Sequence, residues 1–254
     1  MQSFEGIHNF RDFGGYATGA RRVRKGLLFR SGHHARASDA DVEAMANLKL
    51  SAIVDLRRPH ERERHPSRRS PTCAAALIFN EDTRPDAESW SEFVQTSDLT
   101  SESFRSHALR FYRLAPFEPH YADVFARYFT ALASNAEGPV LVHCMGGKDR
   151  TGILVALTHA LLGVHEDDII ADFLLTNDEA RFEREAPHFS AAFMEMLGRA
   201  PTPEALRVAM GVEPAWLHAT FAALAETHGS TLAYLQALGV DAAARDAIER
   251  RLLA

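Results

Sequence analysis

Residues 140–152 read Val-Leu-Val-His-Cys-Met-Gly-Gly-Lys-Asp-Arg-Thr-Gly and constrain this chain more than any other segment. The apolar run Val140-Leu141-Val142, introduced by Gly138-Pro139, leads into His143-Cys144 and a glycine-containing loop. Thr151 then opens the wholly apolar run Ile153-Leu154-Val155-Ala156-Leu157. The first run fits a strand covered on both faces, and the second fits a buried helix. Strand, loop and helix N-terminus together make an anion cradle: loop amides point inward and the helix dipole adds positive potential. That setting favours the thiolate form of a cysteine, which is the nucleophilic form. Arg150, six positions after Cys144, returns a planar guanidinium able to grip two phosphate oxygens. Gly147-Lys148 is followed by Asp149 rather than Ser or Thr, so this is not an ATPase loop.

Three more short apolar runs, Leu27-Leu28-Phe29, Ala52-Ile53-Val54 and Leu77-Ile78-Phe79, fit strands buried on both faces. Tyr121, Val124, Phe125, Tyr128, Phe129 and Leu132 follow helical spacing and predict an amphipathic helix. Strands alternating with helices predict an α/β fold. Residues 82–120 carry few core signals and are expected to form surface helices and loops, either an ordinary insertion or a lid over the site. After Gly163 the pattern is helical. Asp167-Asp168 stand in one first turn, Thr202-Pro203 starts another helix, Gly229 and Gly239 end two, and Asp241 caps the last. The expected organisation is one domain over 1–254, with an α/β core over 1–163 and an all-helical part over 164–254 packed on it.

A chain of 254 residues with 46% hydrophobic and 24% charged residues is neither disordered nor fibrous. A net charge of −6 argues against nucleic acid as a partner. With Cys73 and Cys144 as its two cysteines, the chain is no disulfide scaffold and suits a reducing compartment. No apolar run approaches the ~18–20 residues of a membrane span, and the start, Met1 to Gly6, shows no signal peptide. A cytoplasmic location is expected, with signal-less export left open. The 13 histidines show no His-Glu-x-x-His or other strong ligand pattern, so neither a metal nor a cofactor is expected.

His143-Cys144-x5-Arg150-Thr151-Gly152 resembles the signature of cysteine-dependent protein tyrosine phosphatases. Its Gly147-Lys148-Asp149-Arg150-Thr151 form is similar to the atypical branch that includes bacterial tyrosine and phosphoinositide phosphatases. Asn9-Phe10-Arg11-Asp12-Phe13-Gly14-Gly15, Phe29-Arg30-Ser31-Gly32 and Ile53-Val54-Asp55-Leu56-Arg57 resemble further blocks of that branch. The resemblance implies a central, mostly parallel sheet flanked by helices. It implies a phosphomonoesterase working through a phosphocysteine on Cys144, with phosphotyrosine protein as first substrate. A phosphoinositide or dual-specificity phosphatase is the alternative, which would add transient contact with a membrane surface. Met145, Gly146, Gly147, Lys148, Arg150 and Thr151 are expected at the substrate phosphate, with Thr151 donating to the thiolate.

The chain lacks the Trp-Pro-Asp acid loop of the best-known members. Asp149 is the proton donor that the resemblance implies, against a role in pairing Arg150 or capping the helix. Asp55 is the competing acid. Lys148, one of three lysines with Lys25 and Lys49, is either a rim cation for a second anionic group or a solvated side chain. His143 is expected to order the loop, Cys73 to pack passively, and Asn9, Arg11 and Asp12 to form a turn network near the loop. The basic stretch Arg57, Arg58, Arg62, Arg64, Arg68 and Arg69 reads as a solvated helix face or an attractor of anionic substrates. A phosphate-binding module without turnover and a rhodanese-like sulfur carrier are the readings from other classes. The intact loop disfavours the first, and the Arg150-Thr151-Gly152 exit disfavours the second.

Overall fold

The computed structural model describes residues 4–134 and 137–254; the first three residues of the segment searched above for a signal peptide lie outside these. The strands are β1 (Arg11–Asp12), β2 (Ala17–Thr18), β3 (Arg21–Arg22), β4 (Leu28–Ser31), β5 (Ala52–Asp55), β6 (Ala76–Ile78) and β7 (Val140–His143). Five of them form one sheet in the order β1-β4-β7-β5-β6, and β2 and β3 pair separately. β7 runs parallel to both neighbours, with Val140 opposite Leu28 and Ala52, and His143 opposite Ser31 and Asp55. Among the described residues, β1 is the one strand of the five-stranded sheet that is antiparallel to its neighbour, and β2 and β3 are antiparallel to each other. The sheet is therefore mostly parallel, as expected. Val140, Leu141 and Val142 are buried because neighbouring strands pair with both edges of β7 while helices cover its faces.

One strand departs from expectation. β6 is the last strand of the sheet, and Leu77 is 45% exposed, so this run is not buried on both faces. An apolar triplet alone does not say whether a second neighbour will cover it.

The helices are α1 (Asp39–Asn47), α2 (Pro59–Arg64), α3 (Trp90–Thr96), α4 (Ser101–Leu114), α5 (Pro119–Ala133), α6 (Asp149–Leu161), α7 (Glu166–Leu174), α8 (Glu179–Leu197), α9 (Pro203–Met210), α10 (Pro214–His228), α11 (Thr231–Ala237) and α12 (Ala242–Leu252). α5 buries Tyr121, Val124, Phe125, Tyr128, Phe129 and Leu132 along the stripe its spacing predicts. α6 follows β7 directly and is buried from Thr151 to His159. It begins at Asp149, two residues earlier than the apolar run suggested, which places Asp149 and Arg150 in its first turn. Thr202 and Asp241 cap α9 and α12 as expected, and Gly229 ends α10 at φ +83°.

The segment 82–120 is less superficial than expected. α4 buries Phe104, His107 and Tyr112 and packs against α9 and α10. The inward face of α4 includes His107 and Tyr112, polar types interleaved with arginines, so the sequence shows a weak core signal there. A continuous apolar core joins Val54, Val142 and Leu154 to Phe173, Trp216 and Leu252.

Candidate active site

Cys144 leaves the carboxyl end of β7, between the ends of β4 and β5, where parallel sheets place their ligand sites. The residues after it turn tightly because their carbonyls are held from outside. His33 N–H donates to Met145 O at 2.9 Å. Asn9 Nδ2 donates to Gly146 O at 3.3 Å and Gly147 O at 2.9 Å, and Arg30 Nη2 donates to Gly147 O at 2.9 Å. In a planar trans peptide the next N–H points opposite the carbonyl. Pinning these three carbonyls outward turns the N–H groups of Gly146, Gly147 and Lys148 inward. The first amides of α6, at Asp149 and Arg150, have no helical partner and complete the cradle. Gly147, at φ +65°, lies so close to Ser31 that a Cβ would fall 2.4 Å from that residue's backbone, so only glycine fits.

This geometry explains the N-terminal blocks. Asn9 grips the loop, and Arg11 Nη1 orients Asn9 by donating to its Oδ1 at 2.5 Å. Arg30 is fully buried and pairs with Asp172 on α7 at 2.8 Å, while Arg11 meets the same carboxylate at 3.5 Å. Burial would raise the pKa of Asp172, but Arg30 and Arg11 hold it below the usual carboxylate range. Asp12 sits apart from the loop and accepts from Gly14 and Gly26 N–H, fixing the turns of its own segment.

Arg150 is held by Glu61. Glu61 Oε2 and Oε1 accept from Arg150 Nη1 and Nη2 at 2.5 and 2.8 Å, and Leu56 O accepts a further bond from Nη1 at 3.2 Å. Three of the five guanidinium protons are thereby used. The remaining pair, on Nε and Nη2, forms one edge suited to two phosphate oxygens. Burial would raise the pKa of Glu61, but Arg150 holds it low, so the pair stays ionised. Glu61 also accepts from the Arg58 N–H at 2.7 Å, which caps α2 and fixes the carboxylate.

The two candidate acids sit differently. Asp149 Oδ1 accepts from the Tyr112 hydroxyl at 3.0 Å and lies 3.4 Å from Lys148 Nζ. Asp55 is clamped by Arg57, whose Nε, Nη2 and backbone N–H donate to it at 2.8, 2.6 and 3.2 Å. Burial would raise its pKa, but His143 and the Arg57 guanidinium drive it well below the usual carboxylate range. Lys148 turns from the rim: its Nζ donates to Ala209 O and Gly211 O at 2.7 and 3.1 Å and lies 5.7 Å from the Trp216 ring centre. His143 stacks on His34 at 4.5 Å, and burial pushes its pKa down to about 4. Thr151 Oγ1 is buried without a hydrogen-bond partner among the described residues. Cys144 is 2% exposed, and Cys73 is a half-buried free thiol.

The basic stretch is a solvated face only in part, since Arg64 and Arg68 are exposed. Arg57 and Arg58 are buried, and Arg57, Arg58, Arg62 and Arg68 pair with Asp55, Asp86, Glu81 and Asp39. Asp86, Glu81 and Asp39 come from other segments, so the sequence did not show that they oppose Arg58, Arg62 and Arg68. Glu61, Asp172 and Tyr112 also escaped notice. Glu61 left one faint signal, as an acid three residues after Arg58 at a helix start. Asp172 and Tyr112 left none, because each meets the loop's supports only through the fold.

A cysteine at the end of a central parallel strand, facing an amide cradle that an arginine completes, defines a cysteine-dependent phosphatase. The sequence comparisons agree. A profile of the tyrosine phosphatase family matches residues 2–254, and the chain belongs to that family. It is 36% identical over 248 residues to a candidate tyrosine-protein phosphatase of Cupriavidus necator, covering 95% of this chain and 85% of that one. It is 29% identical over 274 residues to the triple specificity protein phosphatase PtpB of Mycobacterium tuberculosis, covering 96% and 95% of the two chains. A tyrosine-protein phosphatase of Nostoc commune is 28% identical over 162 residues, covering 62% of this chain and 50% of that one. This chain is therefore an enzyme that hydrolyses phosphate monoesters through a cysteine. Among the described residues no helix is long and apolar enough to cross a membrane.

Proposed function

We propose that the chain dephosphorylates phosphotyrosine in proteins, with Cys144 as nucleophile, Asp149 as proton donor and Arg150 with the loop amides as the phosphate clamp. In the first step the Cys144 thiolate attacks phosphorus, the bond to the leaving oxygen breaks, and Asp149 gives that oxygen its proton. In the second, the Asp149 carboxylate takes a proton from water as the water oxygen attacks phosphorus. The sulfur–phosphorus bond breaks and the thiolate is restored. Throughout, Arg150 and the amides of residues 145–150 hold the three non-bridging oxygens as charge redistributes on them. The Thr151 hydroxyl, which has no hydrogen-bond partner among the described residues, is free to turn to the departing thiolate.

The observation that carries this reading is the cradle itself, three carbonyls pinned outward beside an arginine edge left open. Asp149 is preferred over Asp55 because Asp55 is committed to Arg57 as a carboxylate. Phosphoinositide remains the second reading. The cation it would recruit, Lys148, is turned onto Ala209 and Gly211 and must be released first. A lid within residues 82–120 belongs to the same reading. α3 is the portion suited to moving, since it buries only Val94, whereas α4 is anchored by Phe104, His107 and Tyr112. A thiolate nucleophile favours the reducing cytoplasm as its place of work.

A panel of phosphotyrosine peptides, phosphoserine peptides and phosphoinositide vesicles tests the substrate. The highest kcat/KM is expected on phosphotyrosine peptides. A preference for phosphoinositide that disappears in Lys148→Met would replace the first reading with the second.

A further inference from the structure

The geometry points to Tyr112 as a positioning residue that fixes one oxygen of the Asp149 carboxylate and so presents the other to the leaving group. The inference rests on the acid role proposed above for Asp149 and extends it to a residue 37 positions away on α4.

Tyr112 is fully buried, and its hydroxyl donates to Asp149 Oδ1 at 3.0 Å. Lys148 Nζ, at 3.4 Å, competes for the same oxygen. Among the described residues no hydrogen bond reaches Oδ2, so that oxygen is available to carry the transferable proton. A carboxylate held through one oxygen keeps its plane and rotamer, which general acid catalysis needs within hydrogen-bond reach of the leaving oxygen. Without the hydroxyl, Oδ1 has only the Lys148 ammonium to turn to, and the ammonium is itself drawn towards Ala209 and Gly211.

The tyrosine is itself held on several sides. Its ring packs edge-on against Phe173 of α7 at 5.9 Å and lies 5.8 Å from the Trp216 ring of α10. Its carbonyl accepts from Thr220 Oγ1 at 2.8 Å. Burial pushes the phenol pKa well above its ordinary value, so the hydroxyl keeps the proton it donates to Asp149. α4, α7 and α10 thus converge on one hydroxyl whose only hydrogen-bond acceptor among the described residues is Asp149.

The test is Tyr112→Phe, which keeps the ring and its packing and removes only the hydroxyl. Kinetics are compared on a series of aryl phosphates in the wild type, Tyr112→Phe, Asp149→Asn and the double variant. For poor leaving groups kcat should fall about tenfold, the lower range for one hydrogen bond to a charged group. KM should stay near the wild-type value, and the loss should vanish for activated leaving groups that need no proton. In the Asp149→Asn background Tyr112→Phe should cost nothing further, since the two act as one unit. An equal loss across all leaving groups, or additive losses in the double variant, would reduce Tyr112 to a packing residue while leaving the role of Asp149 intact. Absence of any leaving-group dependence in Asp149→Asn itself would overturn both.

Discussion

Glu61 closes both carboxylate oxygens on the outer edge of the Arg150 guanidinium, at 2.5 and 2.8 Å. Arg150, the proposed phosphate clamp, is thereby aimed before any phosphate arrives, and the rotational freedom of a long side chain is removed in advance. Glu61→Gln keeps a group able to accept from Arg58 N–H but loses the ion pair. It should lower kcat/KM by about ten- to a hundredfold, the range seen when groups orienting a ligand are lost. Wild-type kcat/KM in this variant, measured on p-nitrophenyl phosphate, would mean that the cradle aims Arg150 unaided.

Asp149→Asn should cost on the order of 10²–10⁴ in kcat for poor leaving groups, the contribution general acids make. Asp55→Asn frees Arg57 and disturbs the strand end, but its effect should be the same for every leaving group. A Brønsted plot over aryl phosphates decides between them. Leaving-group dependence confined to the Asp55 variant would move the acid to the strand end.

Asp172 compensates two arginines that are themselves buried, Arg30 and Arg11. Asp172→Ala leaves both charges without their carboxylate and should destabilise the fold by about 3–5 kcal/mol. The cradle should suffer as well, because Arg30 also holds Gly147 O. Urea unfolding checks this, and a midpoint equal to that of the wild type would contradict it.

The pH dependence of stability follows from the buried imidazoles. Burial pushes His33 and His143 down to about 4 from 6.5, and His34 also lies well below 6.5. Between these limits the unfolded chain binds more protons than the folded one, so stability falls as pH drops from about 6.5 towards 4. Asp55 and Asp172 have lowered pKa values, and their contribution is lost only below the usual carboxylate range, outside that window. Unfolding midpoints between pH 7 and 4.5 should therefore decline steadily. A flat profile would show that these rings are solvated.

Much of the site was legible because its nucleophile, amides, arginine and proposed acid are contiguous from Cys144 to Arg150, and a strand-loop-helix unit is a local pattern. Asn9 and Arg11 were also legible as part of a network near the loop, although the bonds to Gly146 and Gly147 were not, whereas Asp12 serves only the turns of its own segment. What escaped was whatever depends on a meeting between distant segments. Lys148 looked like a free rim cation because its acceptors, Ala209 O and Gly211 O, are backbone atoms with no sequence signature. Leu77 looked buried because strand order across the sheet cannot be read from a triplet. Tyr112 looked superficial because α10, which covers it, begins about a hundred residues later.

The central claim is that phosphate passes through a covalent bond to Cys144. Acid quenching during steady-state turnover of a phosphotyrosine peptide, followed by mass spectrometry, tests it directly. The account predicts a phosphoryl group on the peptide containing Cys144, absent from Cys73 and absent in Cys144→Ser, which should fold and bind substrate without turning it over. Turnover by a pure Cys144→Ser preparation, or hydrolysis by the wild type with no phosphoryl group trapped on Cys144, would contradict it.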